Sequence, residues 1–202
     1  MIERYPNQVT YLMGNHEKMF LDFVQINYAN DVNGYMNLMI SGQQWVRNGG
    51  LTTIKSFLGE IPESIFETHK KLNKKFPALI HQLAGLPYYM VDNTHNCVYV
   101  HAGFESNTLL KDQSEDEMLW IREPFFDCFK PIKGDVLDGR LIVHGHTPVQ
   151  YIKAYKGEGF YQGKHHICID GGAARSEKIL IVKMDDFSYT SQSIKSDVTT
   201  SI

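Results

Sequence analysis

The sequence predicts an α/β fold, and three observations carry that expectation. First, short apolar runs stop at metal-capable or glycine-rich turns. Val98-Tyr99-Val100 runs into His101-Ala102-Gly103, Leu141-Ile142-Val143 into His144-Gly145-His146-Thr147-Pro148, and Ile167-Cys168-Ile169 into Asp170-Gly171-Gly172. A fourth run, Gln8 to Met13, alternates loosely and ends at Gly14-Asn15-His16-Glu17. Second, helical periodicity separates the first of these endings from the rest. Third, in open α/β sheets ligands gather beyond the carboxyl ends of the strands, so endings of this kind imply one shared site.

The elements follow in order. Gln8 to Met13 reads as a strand, broken by Gly14-Asn15. Met19, Phe20, Phe23 and Ile26 then fall at helical spacing, so a helix runs from Glu17 to about Asn27. Residues 30 to 87 read as mostly helical. Gln43 to Val46 and Leu51 to Leu58 flank an Asn48-Gly49-Gly50 break, and Pro62 to Leu83 supplies more helix with Pro62 in its first turn. After Pro87, Tyr88 to Asp92 and Cys97 to Val100 form a hairpin joined by Asn93-Thr94-His95-Asn96. Ser114 caps a short acidic helix, with Glu117 three residues on. Leu141 to Val143 is a buried strand. Tyr151 to Tyr155, His166 to Ile169 and Lys178 to Met184 read as further strands. The polar tail from Ser193 is expected to fray.

Composition narrows the function classes. With 202 residues and 43% hydrophobic residues, the chain can bury a sizeable core. A formal net charge of -3 argues against a nucleic-acid footprint, which shows as a basic excess. Lys70, Lys71, Lys74 and Lys75 read as a solvated helix face. The three cysteines, Cys97, Cys128 and Cys168, have no C-x-x-C spacing, which argues against a thiolate zinc site or a disulfide framework. That usage fits the reducing cytoplasm, the expected location. No stretch approaches the roughly 18 apolar residues of a membrane span, and the opening residues lack the apolar segment of a secretory signal.

Each ending taken alone has a plainer reading: a capped turn at Asn15-His16, a core histidine at His101, a strand end at His144-Gly145-His146, a tight turn at Asp170-Gly171-Gly172. Their joint occurrence, each followed by small residues that let a backbone approach a ligand, favours a site. Imidazole and amide oxygen are neutral ligands, so an ion held by Asn15, His101 and His146 keeps most of its charge. It can polarise a phosphoryl oxygen and activate water. Imidazole also suits manganese, iron, zinc or nickel over magnesium or calcium. His16 is placed to protonate a leaving alkoxide as general acid. Arg122, after Trp120, offers a planar fork for phosphate oxygens.

With GNHE at Gly14 to Glu17, WVRNGG at Trp45 to Gly50, VHAG at Val100 to Gly103, WIR at Trp120 to Arg122, HGHTP at His144 to Pro148 and IDGGA at Ile169 to Ala173, the chain resembles the calcineurin-like metallophosphoesterases. The branch it resembles is the bacterial serine/threonine protein phosphatases of the bacteriophage-lambda type, with symmetrical diadenosine tetraphosphatases as near neighbours. The resemblance spans about Tyr5 to Tyr189. It implies a single domain over residues 1–202, a β-sandwich flanked by helices, with a helical cap over about 30–87 beside the substrate groove. It also implies a metal at Asn15, His101 and His146, a general acid at His16, a phosphate binder at Arg122, and His144 behind the ligand histidine. The cofactor implied is a divalent ion, manganese in first place with iron or zinc as alternatives. The implied partner is a phosphorylated protein or a small phosphoester, with no nucleic acid and no membrane.

The family's GDxHG and GDxxDRG strand ends are absent. Only thirteen residues precede Gly14, and they hold no Asp and no His. The resemblance therefore implies that the sheet lacks its first two strands and the first metal its own ligands. The expectation is that Met1 is an internal methionine of a longer protein, with Met1 to Pro6 the last turn of the helix that follows GDxxDRG. Three readings stay open: a phosphoprotein phosphatase, a symmetrical diadenosine tetraphosphate hydrolase, and an inactive binding module. A site completed by a separate chain is a further alternative.

Overall fold

A computed structural model describes residues 8–28 and 31–193. The expectations for the opening residues and for the polar tail beyond Ser193 lie outside that range. The chain divides into two compact units, one ending at Pro87 and one beginning at Tyr88. The α/β class is observed, with helices, a mixed five-stranded sheet and a small two-stranded sheet.

The first unit is helical among its described residues. Helix α1 (Asn15–Val24) buries Met19, Phe20 and Phe23, whose spacing announced it, together with Leu21 and Val24; Ile26, counted in the same pattern, lies past its end. The strand expected over Gln8–Met13 is not formed: Gln8 lies in a turn and residues 9–14 carry no regular structure. Alternation becomes a strand only where a neighbour supplies a ladder of hydrogen bonds. Here Met13 N–H instead donates to the Pro87 carbonyl at 2.8 Å.

Helix α2 (Val32–Trp45) starts at Asp31, whose carboxylate accepts from the Asn33 and Gly34 N–H groups, each at 3.1 Å. The anticipated break follows. In the segment Val46–Gly50, Asn48 and Gly49 leave helical geometry, with Gly49 at φ 97°, before α3 (Leu51–Leu58) resumes. Helix α4 (Ile65–Lys75) begins at Ser64, whose hydroxyl accepts from Glu67 N–H at 3.2 Å. Pro62 is thus not a first-turn proline, because the capping oxygen two residues later sets the start. That role belongs to Pro77, which opens α5 (Pro77–Ala84). Trp45, 3% exposed, anchors the core, tilted against Phe20 at 5.3 Å and stacked on Phe23 at 5.4 Å.

The second unit holds strands β1 (Tyr89–Asp92), β2 (Cys97–Val100), β3 (Leu141–His144), β4 (Tyr161–Gln162) and β5 (His166–Cys168) in the order β1-β2-β3-β5-β4. The β1–β2 hairpin is antiparallel, as expected. Strands β2 and β3 pair in parallel, as do β3 and β5, with Val98 opposite Ile142 and Val143 opposite Ile167. The β2–β3 crossover carries α6 (Glu115–Trp120) and α7 (Glu123–Cys128). Phe104, Phe125 and Leu137 pack with Val98, Val100 and Ile142 in one cluster. Cys97, Val143 and Ile167 form another, against which Val182 and Met184 pack. Val182 belongs to β6 (Lys178–Lys183), which pairs with β7 (Ser188–Ser193) after the short α8 (Ala173–Ser176).

The strand expected over Tyr151–Tyr155 is replaced by consecutive three-residue turns. Tyr151 N–H donates to Pro148, Ile152 to Val149 and Tyr155 to Ile152, at 2.8, 3.1 and 2.9 Å. Val149 and Ile152 are both buried, and a spacing of three is the 3₁₀ period, not the strand period of two. Among the described residues, no helix is long and apolar enough to cross a membrane.

Candidate metal and phosphate site

Because β2, β3 and β5 are parallel, their carboxyl ends lie at one sheet edge. His101 follows β2, His144 ends β3 with Gly145-His146 beyond it, and Asp170 lies two residues past β5. Backbone bonds carry the pairing past the strands. Gly145 N–H donates to the His101 carbonyl at 2.9 Å, Ile169 to His144 at 2.8 Å and Val149 to Asp170 at 3.0 Å. Thr147 N–H closes the turn onto the Gly145 carbonyl at 2.7 Å.

The turn gives His146 a φ of 64°. That is the left-handed region, uncommon for a residue with a side chain, and such strain gathers at functional sites at a cost of about 1–3 kcal/mol. The result is that His101 Nε2 and His146 Nδ1 stand 3.1 Å apart. The separation suits one shared proton. It equally suits two lone pairs on one ion, since ligand bonds of about 2.0–2.1 Å at right-angle to tetrahedral geometry separate nitrogens by about 3 Å. Trp120 meets the His146 ring edge-on at 5.7 Å. Among the described residues, no group of three or more His, Cys, Asp or Glu is assembled for a metal.

Arg122 reaches the same turn from the crossover. Its Nη1 donates to Thr147 Oγ1 at 2.9 Å. Two features position it. Ser114 Oγ accepts from Glu117 N–H at 3.1 Å, the expected cap of α6, and Ala102 N–H donates to the Met118 carbonyl at 2.9 Å, tying the His101 loop to that helix. Gly103 completes the fit: a Cβ there would lie 2.7 Å from the Phe125 ring.

Behind the turn sits a pair of buried histidines. His144 and His166 are 1% and 2% exposed, and their Nε2 and Nδ1 atoms meet at 2.9 Å. His144 Nδ1 lies 3.2 Å from the Gly145 carbonyl, and His166 Nε2 3.3 Å from that of Phe126. Burial pushes the His144 pKa down to about 3, and His166 is lowered for the same reason. Both rings are therefore neutral near pH 7.

The structure thus brings His101, His146 and Arg122 to one edge of the second unit. Asn15 and His16 open α1 in the first unit, with Asn15 buried and His16 exposed at a cleft. Three residues escaped the sequence reading. Thr147 orients Arg122, and its place after His-Gly-His was a usable signal. His166 supports His144, and nothing in its strand pattern marks it. Asp170, one of the four strand endings but given no role of its own, makes the tight turn that is its plainer reading, its Oδ1 accepting from Gly172 N–H at 2.7 Å; its carboxylate also lies along Gly145. No family model matches the chain, and no match is found among curated proteins or solved structures.

Proposed function

We propose that the chain is a metal-dependent phosphoesterase of the calcineurin-like type, a serine/threonine protein phosphatase by its motifs. One observation carries this reading. Two imidazoles from successive parallel strand ends converge at 3.1 Å, and one of them is held at positive φ to do so. The donors fit a borderline divalent ion: neutral nitrogen ligands favour manganese, iron or zinc over magnesium or calcium.

His101 and His146 hold the ion in this reading, with Asn15 as the third ligand that the motif resemblance supplies. When bound, the ion supplies Lewis-acid stabilisation of the phosphoryl group and activation of water. Arg122 grips the phosphate oxygens, its guanidinium oriented by the Thr147 hydroxyl, and favours the charge that builds in the transition state. His16 carries the proton given to the departing oxygen. Trp120, against the His146 ring, limits the rotation of that ligand.

The test is calorimetric titration of the purified chain with manganese, beside manganese-dependent hydrolysis of p-nitrophenyl phosphate. Saturable binding that weakens at least tenfold in His146→Ala is expected. A folded chain that binds no manganese would overturn the reading. Where turnover occurs, a phosphopeptide and a dinucleoside tetraphosphate compared side by side assign the substrate. Binding without turnover assigns the non-catalytic alternative.

A further inference from the structure

A cleft of ≈ 250 Å³ lies wholly within the first unit. The buried Phe20 and Trp45 and the half-buried Phe57 line it, and the exposed His16 and Asn48 and the half-buried Thr53 give it polar groups. The α2–α3 kink shapes it, as Asn48 and Gly49 leave helical geometry and Asn48 Nδ2 turns back to the Gln44 carbonyl at 2.8 Å. Gly50 lets the chain close on the indole: a Cβ there would stand 2.8 Å from Trp45 Cδ2. Phe20 meets Phe57 edge-on at 6.1 Å and Trp45 at a tilt at 5.3 Å, leaving ring edges and faces on different sides. The volume is below the roughly 300 Å³ at which sites for drug-sized molecules begin, so it suits one ring system.

We propose that this cleft receives a flat aromatic ring on the leaving-group side of the scissile phosphoester. The inference rests on the reading of His16 as proton donor. A general acid must come within hydrogen-bond reach of the oxygen it protonates. A cleft that the donor itself lines therefore takes whatever is attached to that oxygen. Aromatic walls favour a ring over an aliphatic group of similar size through edge-to-face and offset contacts. The Asn48 amide and the Thr53 hydroxyl offer hydrogen bonds to the edge of a heteroaromatic ring. Two sources share this chemistry: an aromatic residue flanking a phosphoserine, and the purine of a dinucleotide.

The test reads Trp45 fluorescence in the full chain carrying Trp120→Phe, which leaves Trp45 as the sole tryptophan of the two. No metal is added. The probes are adenosine monophosphate, phosphoseryl-phenylalanine, phosphoseryl-alanine and glycerol phosphate. Saturable quenching by ring-bearing probes, at least about tenfold tighter than by ring-free ones, is expected. Response to only one ring-bearing probe supports the proposal and identifies the source. Thr53→Phe and Leu83→Phe, each filling the cleft, should abolish it while the melting temperature stays within a few degrees. Equal response to all four probes, or binding unchanged in both well-folded filling variants, overturns the proposal. His16→Ala separates the two readings. Ring binding kept with turnover lost supports both. Ring binding kept with turnover unchanged removes His16 as donor, and with it the leaving-side assignment.

Discussion

Gly103→Ala tests whether the loop bearing His101 is fixed by packing. A Cβ at Gly103 would lie 2.7 and 2.8 Å from Phe125 Cδ1 and Cγ and 2.9 Å from Ile121 Cγ2. All three are closer than a real Cβ tolerates, so something must move. Ile121 is half-buried and can shift. Phe125 cannot: it is 1% exposed and held by Phe129, His144 and His166 at 5.2, 5.0 and 4.9 Å between ring centroids. Overpacking against such a ring costs about 1–3 kcal/mol. Urea unfolding should therefore show Gly103→Ala destabilised by about 2 kcal/mol with an unchanged m-value. On the metal reading proposed above, manganese affinity should fall as well, because the displaced backbone carries His101. Phe125→Ala removes both obstructing ring atoms, so the double variant should lie at least about 0.5 kcal/mol above the sum of the single losses. A Gly103→Ala chain within about 0.5 kcal/mol of the parent, with additive behaviour in the double variant, would refute the reasoning.

Ser114→Ala removes the hydroxyl that accepts from Glu117 N–H at 3.1 Å and should cost about 1 kcal/mol in thermal or urea unfolding. His95 joins the β1–β2 turn to the β6–β7 turn, its Nδ1 2.7 Å from Asp92 and its Nε2 3.1 Å from Asp185. Hydrogen bonding to Asp92, then to Asp185, raises its pKa, so the clip contributes fully below the unfolded value of about 6.5 and is lost as pH rises through the higher folded value. NMR titration of the ring should show the raised midpoint, and Asp185→Asn should lower it; an unshifted midpoint in the parent would remove the clip. Arg122→Lys keeps the charge but loses the planar fork donating to Thr147, so inorganic phosphate should bind severalfold more weakly with the fold intact, as calorimetry would read.

The parts legible in the sequence are those where one local signal governs. Met19, Phe20 and Phe23 repeat at helical spacing and are buried in a helix. Asn93 to Asn96 turn a hairpin, Ser114 caps a helix, and the wholly apolar Leu141–Val143 lies inside the sheet. The errors came where a partner decides. Gln8–Met13 has the alternation of a strand without a ladder, and Tyr151–Tyr155 has strand residues whose buried positions fall three apart. The convergence of His101 and His146 was legible as two strand endings. That the endings share an edge follows from parallel pairing, which motif spacing alone does not specify. The pairing of His144 with His166 joins residues 22 apart in sequence and left no local mark.

Those two buried histidines also explain how a side chain at positive φ is sustained. A strained turn persists only where its surroundings over-determine it. Here Gly145 and Thr147 are both fixed through backbone bonds, and the Cys168 thiol donates to the Thr147 carbonyl at 3.2 Å. Burial raises the Cys168 pKa to about 12, so it stays a protonated donor. His144 and His166 brace the turn from beneath as neutral rings, stacked and tilted against Phe126 at 5.6 and 6.0 Å. Neutrality matters on the metal reading. An imidazolium behind the turn would repel a cation held by His101 and His146, and a carboxylate there would bring its own titration into the core. Burial resolves the conflict by holding the support uncharged, so the strain at His146 is borne by packing and hydrogen bonds that do not compete with the charge in front of it.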